Sequence, residues 1–158
     1  MIDVVDQQLR LPLDVAVDLR EAEALARRAL DNDAGEHVDP SVLAHDLLPD
    51  WYDDWLVVER ECFRQSRLRA LDALCDRLTR ADRLREALQA GLSSIAAEPL
   101  RESAHRALIR VHLADGNAVE AIRQYRFYQR LLTERLGLEP SDRMKELMRR
   151  VHGPQADW

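Results

Sequence analysis

Lysine, glycine, cysteine and aromatic side chains are all scarce in this sequence, and each shortage closes off a class of protein. Lys145 is the sole lysine, and the formal net charge is −6. Nonspecific DNA binding draws on cations that displace condensed counterions, so this balance argues against a nucleic-acid footprint. Five scattered glycines leave no glycine-rich phosphate loop. The cysteines are Cys62 and Cys75; on one helix they stand about 20 Å apart, beyond the reach of a disulfide. The start lacks a charged-then-apolar leader pattern and no long apolar run follows, so the expectation is a soluble, cytoplasmic chain without a membrane span. Aromatics at 5% suit helices packed through Leu and Ala better than a sheet.

What is present is globular in kind. With 158 residues, 46% apolar and 33% charged, the chain is long enough for one domain or a short repeat array. A chain of this size buries roughly 68–70% of its unfolded surface, enough for a core without staples.

Residues 1–17 differ from the rest. Ile2, Val4, Leu9, Leu11, Leu13, Val15 and Val17 alternate with polar neighbours, the period of a half-buried strand. Asp6, Gln7 and Gln8 supply a turn, so a short extended or hairpin segment is expected. An isolated hairpin is marginal in water; the segment therefore reads as part of something larger, or as an arm laid on the body.

From Asp18 onward the start signals of helices recur, about seven in all. Asp18 with Glu21 makes a capping box for a helix to about Leu30. Asp39-Pro40 opens a short helix to about His45. Asp50 with Asp53 caps a long helix running from Trp51 to about Arg80, since no Gly or Pro intervenes before Gly91. Asp82, Glu98-Pro99, Gly116-Asn117 and Gly137 before Pro140 divide the remainder. Leu68, Leu71, Leu74, Cys75 and Leu78 form one apolar stripe, and Ala104, Ala107, Leu108 and Val111 another.

An offset of 34 residues aligns the chain with itself: Glu86-Ala87-Leu88 falls on Glu120-Ala121-Ile122, and Leu74 on Leu108. A helix–turn–helix period of this length is the tetratricopeptide signature. The fit loosens in the second unit, where Pro140 comes about seven residues late and His105 and His112 replace large apolar residues. The expected architecture is all-α, with tetratricopeptide-like stacked antiparallel helix pairs. Transferred onto that geometry, Arg69, Asp72, Asp76, Ser103, Arg106 and Arg110 wall an inner groove of the kind that holds peptides; the same set also fits an ordinary solvated face.

Catalytic chemistry finds little support. Asp50, Asp53 and Asp54 fall at a helix start, where acids suit the dipole. His105 and His112 lie about 10 Å apart, too far to share a zinc ion. Ser93-Ser94 has no nearby His or Lys to activate it. No cofactor or metal site is expected. Trp51 and Trp55 stand at i and i+4 in the expected long helix, either anchoring it on the preceding short helix or forming an interface hot spot. Tyr125, Phe127 and Tyr128 pose the same choice; Tyr125 and Tyr128 share a face and Phe127 points elsewhere. Arg60, Arg64 and Arg67 form a stripe, as do Arg123, Arg126 and Arg130, each read as a solvated face or as a meeting point for an acidic patch.

Several unusual pieces then recur in order: Trp51, Tyr52 and Trp55; Glu59-Arg60; Glu98-Pro99-Leu100-Arg101-Glu102; Gly116-Asn117; Tyr125; Gly137 and Pro140. Over residues 18–148 the chain resembles the bacterial transcriptional activator domain, as in the SARP antibiotic-pathway regulators of actinobacteria. In that family the domain follows an OmpR-like winged helix. The resemblance implies that residues 1–17 are the remnant of the winged helix's C-terminal hairpin and linker, that 18–152 are the activator domain, and that 153–158 are a tail. It implies self-association as a homodimer and contacts with RNA polymerase holoenzyme subunits, with DNA reached only through the absent winged helix. The candidate interaction residues are Arg69, Asp72, Asp76, Arg106, Arg110, Trp51, Trp55 and Tyr125. The alternative is a tetratricopeptide-like peptide-binding adaptor or intramolecular regulatory module.

Overall fold

The computed structural model describes residues 3–5, 8–10, 18–31 and 39–152. The expected turns and strands at residues 6–7 and 11–17, and the tail at 153–158, lie outside the described residues. Strands β1 (Asp3–Val5) and β2 (Gln8–Arg10) pair antiparallel, Val4 opposite Leu9. Gln8 belongs to the second strand rather than to the turn.

Among the described residues six α-helices follow: α1 (Asp18–Leu30), α2 (Asp54–Arg80), α3 (Leu84–Ala97), α4 (Glu102–Ala114), α5 (Ala118–Leu136) and α6 (Asp142–His152). A 3₁₀ turn, Pro40–Leu43, lies between α1 and α2. Asp39 caps it as its sequence signals, its carboxylate accepting from the Ser41 amide at 2.9 Å, but four residues make only a tight turn. Among the described residues the chain is thus all-helical beyond its N-terminal hairpin.

One expected boundary shifts. Helix α2 begins at Asp54, not Trp51, with Asp53 as N-cap and no side-chain cap bond. The reason lies just upstream: Leu48 adopts φ 43° and its carbonyl accepts from the Trp51 amide, closing a turn in the residues that would have been the helix's approach. Asp82 divides α2 from α3 as expected, and it does so as a helix ending. It sits at φ 58°, with its amide bonded to the Thr79 carbonyl and the next amide, of Arg83, bonded to the Leu78 carbonyl at 2.9 Å. That is a Schellman ending for α2.

The same ending recurs 34 residues on. Gly116 at φ 70° takes the place of Asp82, with Gly116 bonded to Leu113 and Asn117 to His112. Helices α3 and α5 start at the corresponding residues Leu84 and Ala118. The repeat is therefore one of backbone geometry as well as sequence: the second half of α2 with α3, then α4 with α5. The late Pro140 follows mostly from helix length, because α5 has 19 residues against 14 in α3, and otherwise from a longer run between helix end and proline.

Side-chain choices differ between the two units in ways that compensate. Gly91 lets α3 approach closely, since a Cβ there would lie 3.1 Å from Leu108 and 3.4 Å from the Cys75 sulfur. The corresponding residue in α5 is Tyr125, which fills a second core with Tyr128, Leu132, Met144 and Met148. The first core joins α1, the 3₁₀ turn, α2, α3 and α4 through Ala26, Leu43, Phe63, Leu71, Leu74 and Leu78. Helix α6 closes the far end on α4 and α5. The Ser141 amide that precedes it donates to Glu102 at 2.9 Å.

Candidate protein-interaction surface

The charged face comes first. On α2 and α4 the 34-residue offset places Asp72 against Arg106 and Asp76 against Arg110 in the alignment, so acids in one unit become bases in the next. The structure uses that inversion. Arg110 donates to Asp76 at 2.7 Å. Asp72 accepts from Ser94 at 3.0 Å, Arg101 at 3.0 Å and Ser103 at 2.7 Å, while Arg106 pairs with Glu102 at 3.0 Å. Arg69 remains on the exposed surface. Five of the expected groove walls are thus engaged within the chain, and the face works first as a seam between repeats.

The aromatic cluster is different. Trp51, Tyr52 and Trp55 are 53%, 87% and 59% exposed, and Trp51 precedes the helix, so the two tryptophans do not stack on one helical face. The reading in which they anchor α2 on the preceding short helix is corrected by this exposure. The loop that leads into α2 is tied to it instead by the arginine stripe, which is not a solvated face. Arg60 donates to the carbonyl oxygens of Leu47 (3.0 Å), Leu48 and Trp51 (2.8 Å). Arg64 bonds both Glu61 and Glu98, the latter at 2.7 Å. Arg67 is buried, pairs with Asp46 and has its pKa lowered by desolvation; its Nε has no hydrogen-bond partner among the described residues. The hydrogen bonds from Arg64, then Gln65, hold the exposed Glu61 down to about 2. Sequence reasoning missed this set because it fixes a face but not what the face meets. One signal was available: Leu48 precedes Pro49, which pushes a residue out of the right-handed helical region.

Between α1 and the first half of α2 lies a groove of about 550 Å³. Leu19, Leu47, Leu48, Trp55, Leu56 and Phe63 form its apolar walls, and Glu23, Arg27 and Glu59 its charged ones. Cys62 opens into it and is exposed, whereas Cys75 is buried and its thiol is pushed up to about 12 by desolvation.

Tyr125 is 1% exposed. It is core, so its place among interaction residues is corrected: the short α4–α5 connection turns that face inward onto α6. Tyr128 shares its face and is buried, while Phe127 points outward. His105 is also buried. Its Nε2 lies 2.8 Å from the Pro99 carbonyl and its Nδ1 2.7 Å from the Gln124 amide nitrogen, which defines a neutral ring protonated on Nε2. Its ring centre lies 4.4 Å from that of Tyr128. Desolvation lowers its pKa below 6.5. It takes the place of Leu71, and Gln124 that of Ala90, in the first unit: a polar pair replaces an apolar one. Among the described residues no group of three or more His, Cys, Asp or Glu gathers as metal ligands, and no helix is long and apolar enough to cross a membrane.

The model of the bacterial transcriptional activator domain matches residues 13–152. The chain belongs to that family. The match takes in all six helices and leaves the β1–β2 hairpin outside. Membership makes this chain a transcriptional activator domain, of a family of regulators rather than enzymes, and suggests dealings with the transcription machinery. No curated protein matches the chain.

Proposed function

We propose that this activator domain works by protein contact alone, associating with itself and with RNA polymerase holoenzyme, while a winged helix joined through the β1–β2 hairpin supplies DNA binding. The observation that carries this reading is the solvent-exposed aromatic cluster, Trp51, Tyr52 and Trp55, on a scaffold whose charged repeat face is spent internally. Exposed aromatics on a rigid helix end are the residues that dominate protein interfaces. The net charge of −6 suits a domain that leaves DNA to a neighbour. The rival peptide-groove reading loses support, since Asp72, Asp76, Arg106 and Arg110 already have partners.

Sedimentation velocity and capture of purified holoenzyme, both at micromolar protein, test the proposal. Self-association and holoenzyme binding are expected, the latter weakened at least about tenfold in a Trp51→Ala/Trp55→Ala variant. A chain that shows neither association overturns it. An in-frame winged helix in the upstream coding sequence is the expected context.

A further inference from the structure

We propose that the groove between α1 and the first half of α2 is a docking site for a basic amphipathic helix of a partner protein. The inference gives the recruiting role above a location and a partner chemistry, and rests on that reading only for its biological use.

Shape speaks first. The groove of about 550 Å³ is lined by buried Leu56 and Phe63 and half-buried Leu19, together with the exposed Leu48 and Trp55. An amphipathic helix inserts apolar residues at i, i+3, i+4 and i+7 into such a groove. The wall is also set in advance. Leu48 holds a left-handed backbone, φ 43°, that a branched side chain rarely adopts. The Arg60 guanidinium fixes it by gripping the carbonyls on either side of that turn, Leu47 and Trp51, as well as its own. A wall ordered before binding spares a partner the entropic cost of ordering it.

Charge selects the occupant. Glu23 and Glu59 lie in the lining, and Asp50, Asp53 and Asp54 are exposed at the adjoining end of α2. Of the nearby arginines, Arg64 is offset by Glu61 and Glu98 and Arg67 by Asp46; Arg60, held on loop carbonyls, and the exposed Arg20 keep their charge but are outnumbered by these carboxylates. Arg27 is the basic member of the lining. The balance favours a cationic partner and disfavours nucleic acid or an anionic membrane. It also disfavours a second copy, because a two-fold contact sets the patch against itself, and among the described residues Arg27 is the one cation in the lining against Glu23 and Glu59. Self-association then uses another face.

The test uses the whole chain and a synthetic peptide of about 18 residues, five helical turns, with leucines at the spacing above and lysines elsewhere; its counterpart carries glutamates in place of lysines. Cys62 in the groove reports occupancy through its rate of alkylation by a maleimide, since Cys75 is buried. The lysine peptide is expected to slow alkylation about tenfold or more at saturation and the glutamate peptide to leave it unchanged. Glu23→Lys/Glu59→Lys, with helicity checked by circular dichroism, should weaken the lysine peptide about tenfold and admit the glutamate peptide. Trp55→Ala should weaken the lysine peptide, and Glu134→Lys, on the remote α5, should not. Equal protection by both peptides, equal weakening by Glu134→Lys, or protection that rises with protein concentration alone overturns the proposal; the last outcome assigns the groove to a second copy. Holoenzyme binding that survives in the double variant, with no peptide protection in the parent, sinks this inference and leaves the proposed function standing. Peptide protection without holoenzyme binding does the reverse.

Discussion

Along α2, residues 54–67 and 68–80 share one backbone and live in different surroundings. The second half presents Leu68, Ala70, Leu71, Leu74, Cys75 and Leu78 to the core and is the first helix of a repeat. The first half buries Leu56, Phe63 and Arg67 while leaving Trp55, Val57 and Val58 in solvent. One half is held by apolar packing between neighbouring repeats. The other is held by three arginines that reach back to the preceding loop and outward to Glu98. A helix can thus be structural at one end and presentational at the other, provided polar ties replace the missing core.

That contrast can be broken by mutation, and the largest effect is expected in the packed half. Leu74→Ala, at a fully buried site, should cost about 2–5 kcal/mol in chemical denaturation. Arg60→Ala removes the donor for three carbonyls and should cost about 1–2 kcal/mol. Its loss should speed amide exchange around residues 47–56 while leaving residues 68–80 protected, and uniform exchange across α2 would show that the halves are not separately held. Buried His105 sharpens the contrast from the second repeat. Its folded pKa lies below 6.5, so on acidification the unfolded chain takes up the proton first. Its stabilising contribution is therefore full above pH 6.5 and is lost as pH falls towards the folded pKa, with a slope of at most about 1.4 kcal/mol per pH unit. His105→Gln should flatten that part of the pH–stability curve. The smallest effect belongs to Trp55→Ala, expected to move stability by no more than about 0.5 kcal/mol because its side chain faces water.

Much of this fold was legible because its signals are local. Asp39 and Asn117 announce caps that form, the latter accepting from the Glu120 amide at 3.2 Å. The 34-residue offset shows in a handful of residues and reappears as matched helix starts and matched left-handed turns. The spacing of Tyr125 and Tyr128 put them on one face. What failed was the choice of what a face meets. Tyr125 and Trp55 are both aromatic residues on helices, yet one is sealed beneath α6 and the other stands in solvent. The arginine stripe at 60, 64 and 67 looks solvated by periodicity, and its partners Leu47, Asp46 and Glu98 lie 13 to 34 residues away. The start of α2 was misplaced for a related reason: Asp50 and Asp53 are both good caps, and the choice fell to the turn at Leu48.

The reversal of charge between Asp72 and Asp76 in one repeat and Arg106 and Arg110 in the next gives the array a direction. Each unit recognises the other as different from itself. A tandem copy of the second unit, stacked at the same offset, would set guanidinium against guanidinium where Asp76 now meets Arg110. The order of the two units is therefore written into their surfaces, and lengthening this scaffold by duplication would require a unit that carries the first one's carboxylates.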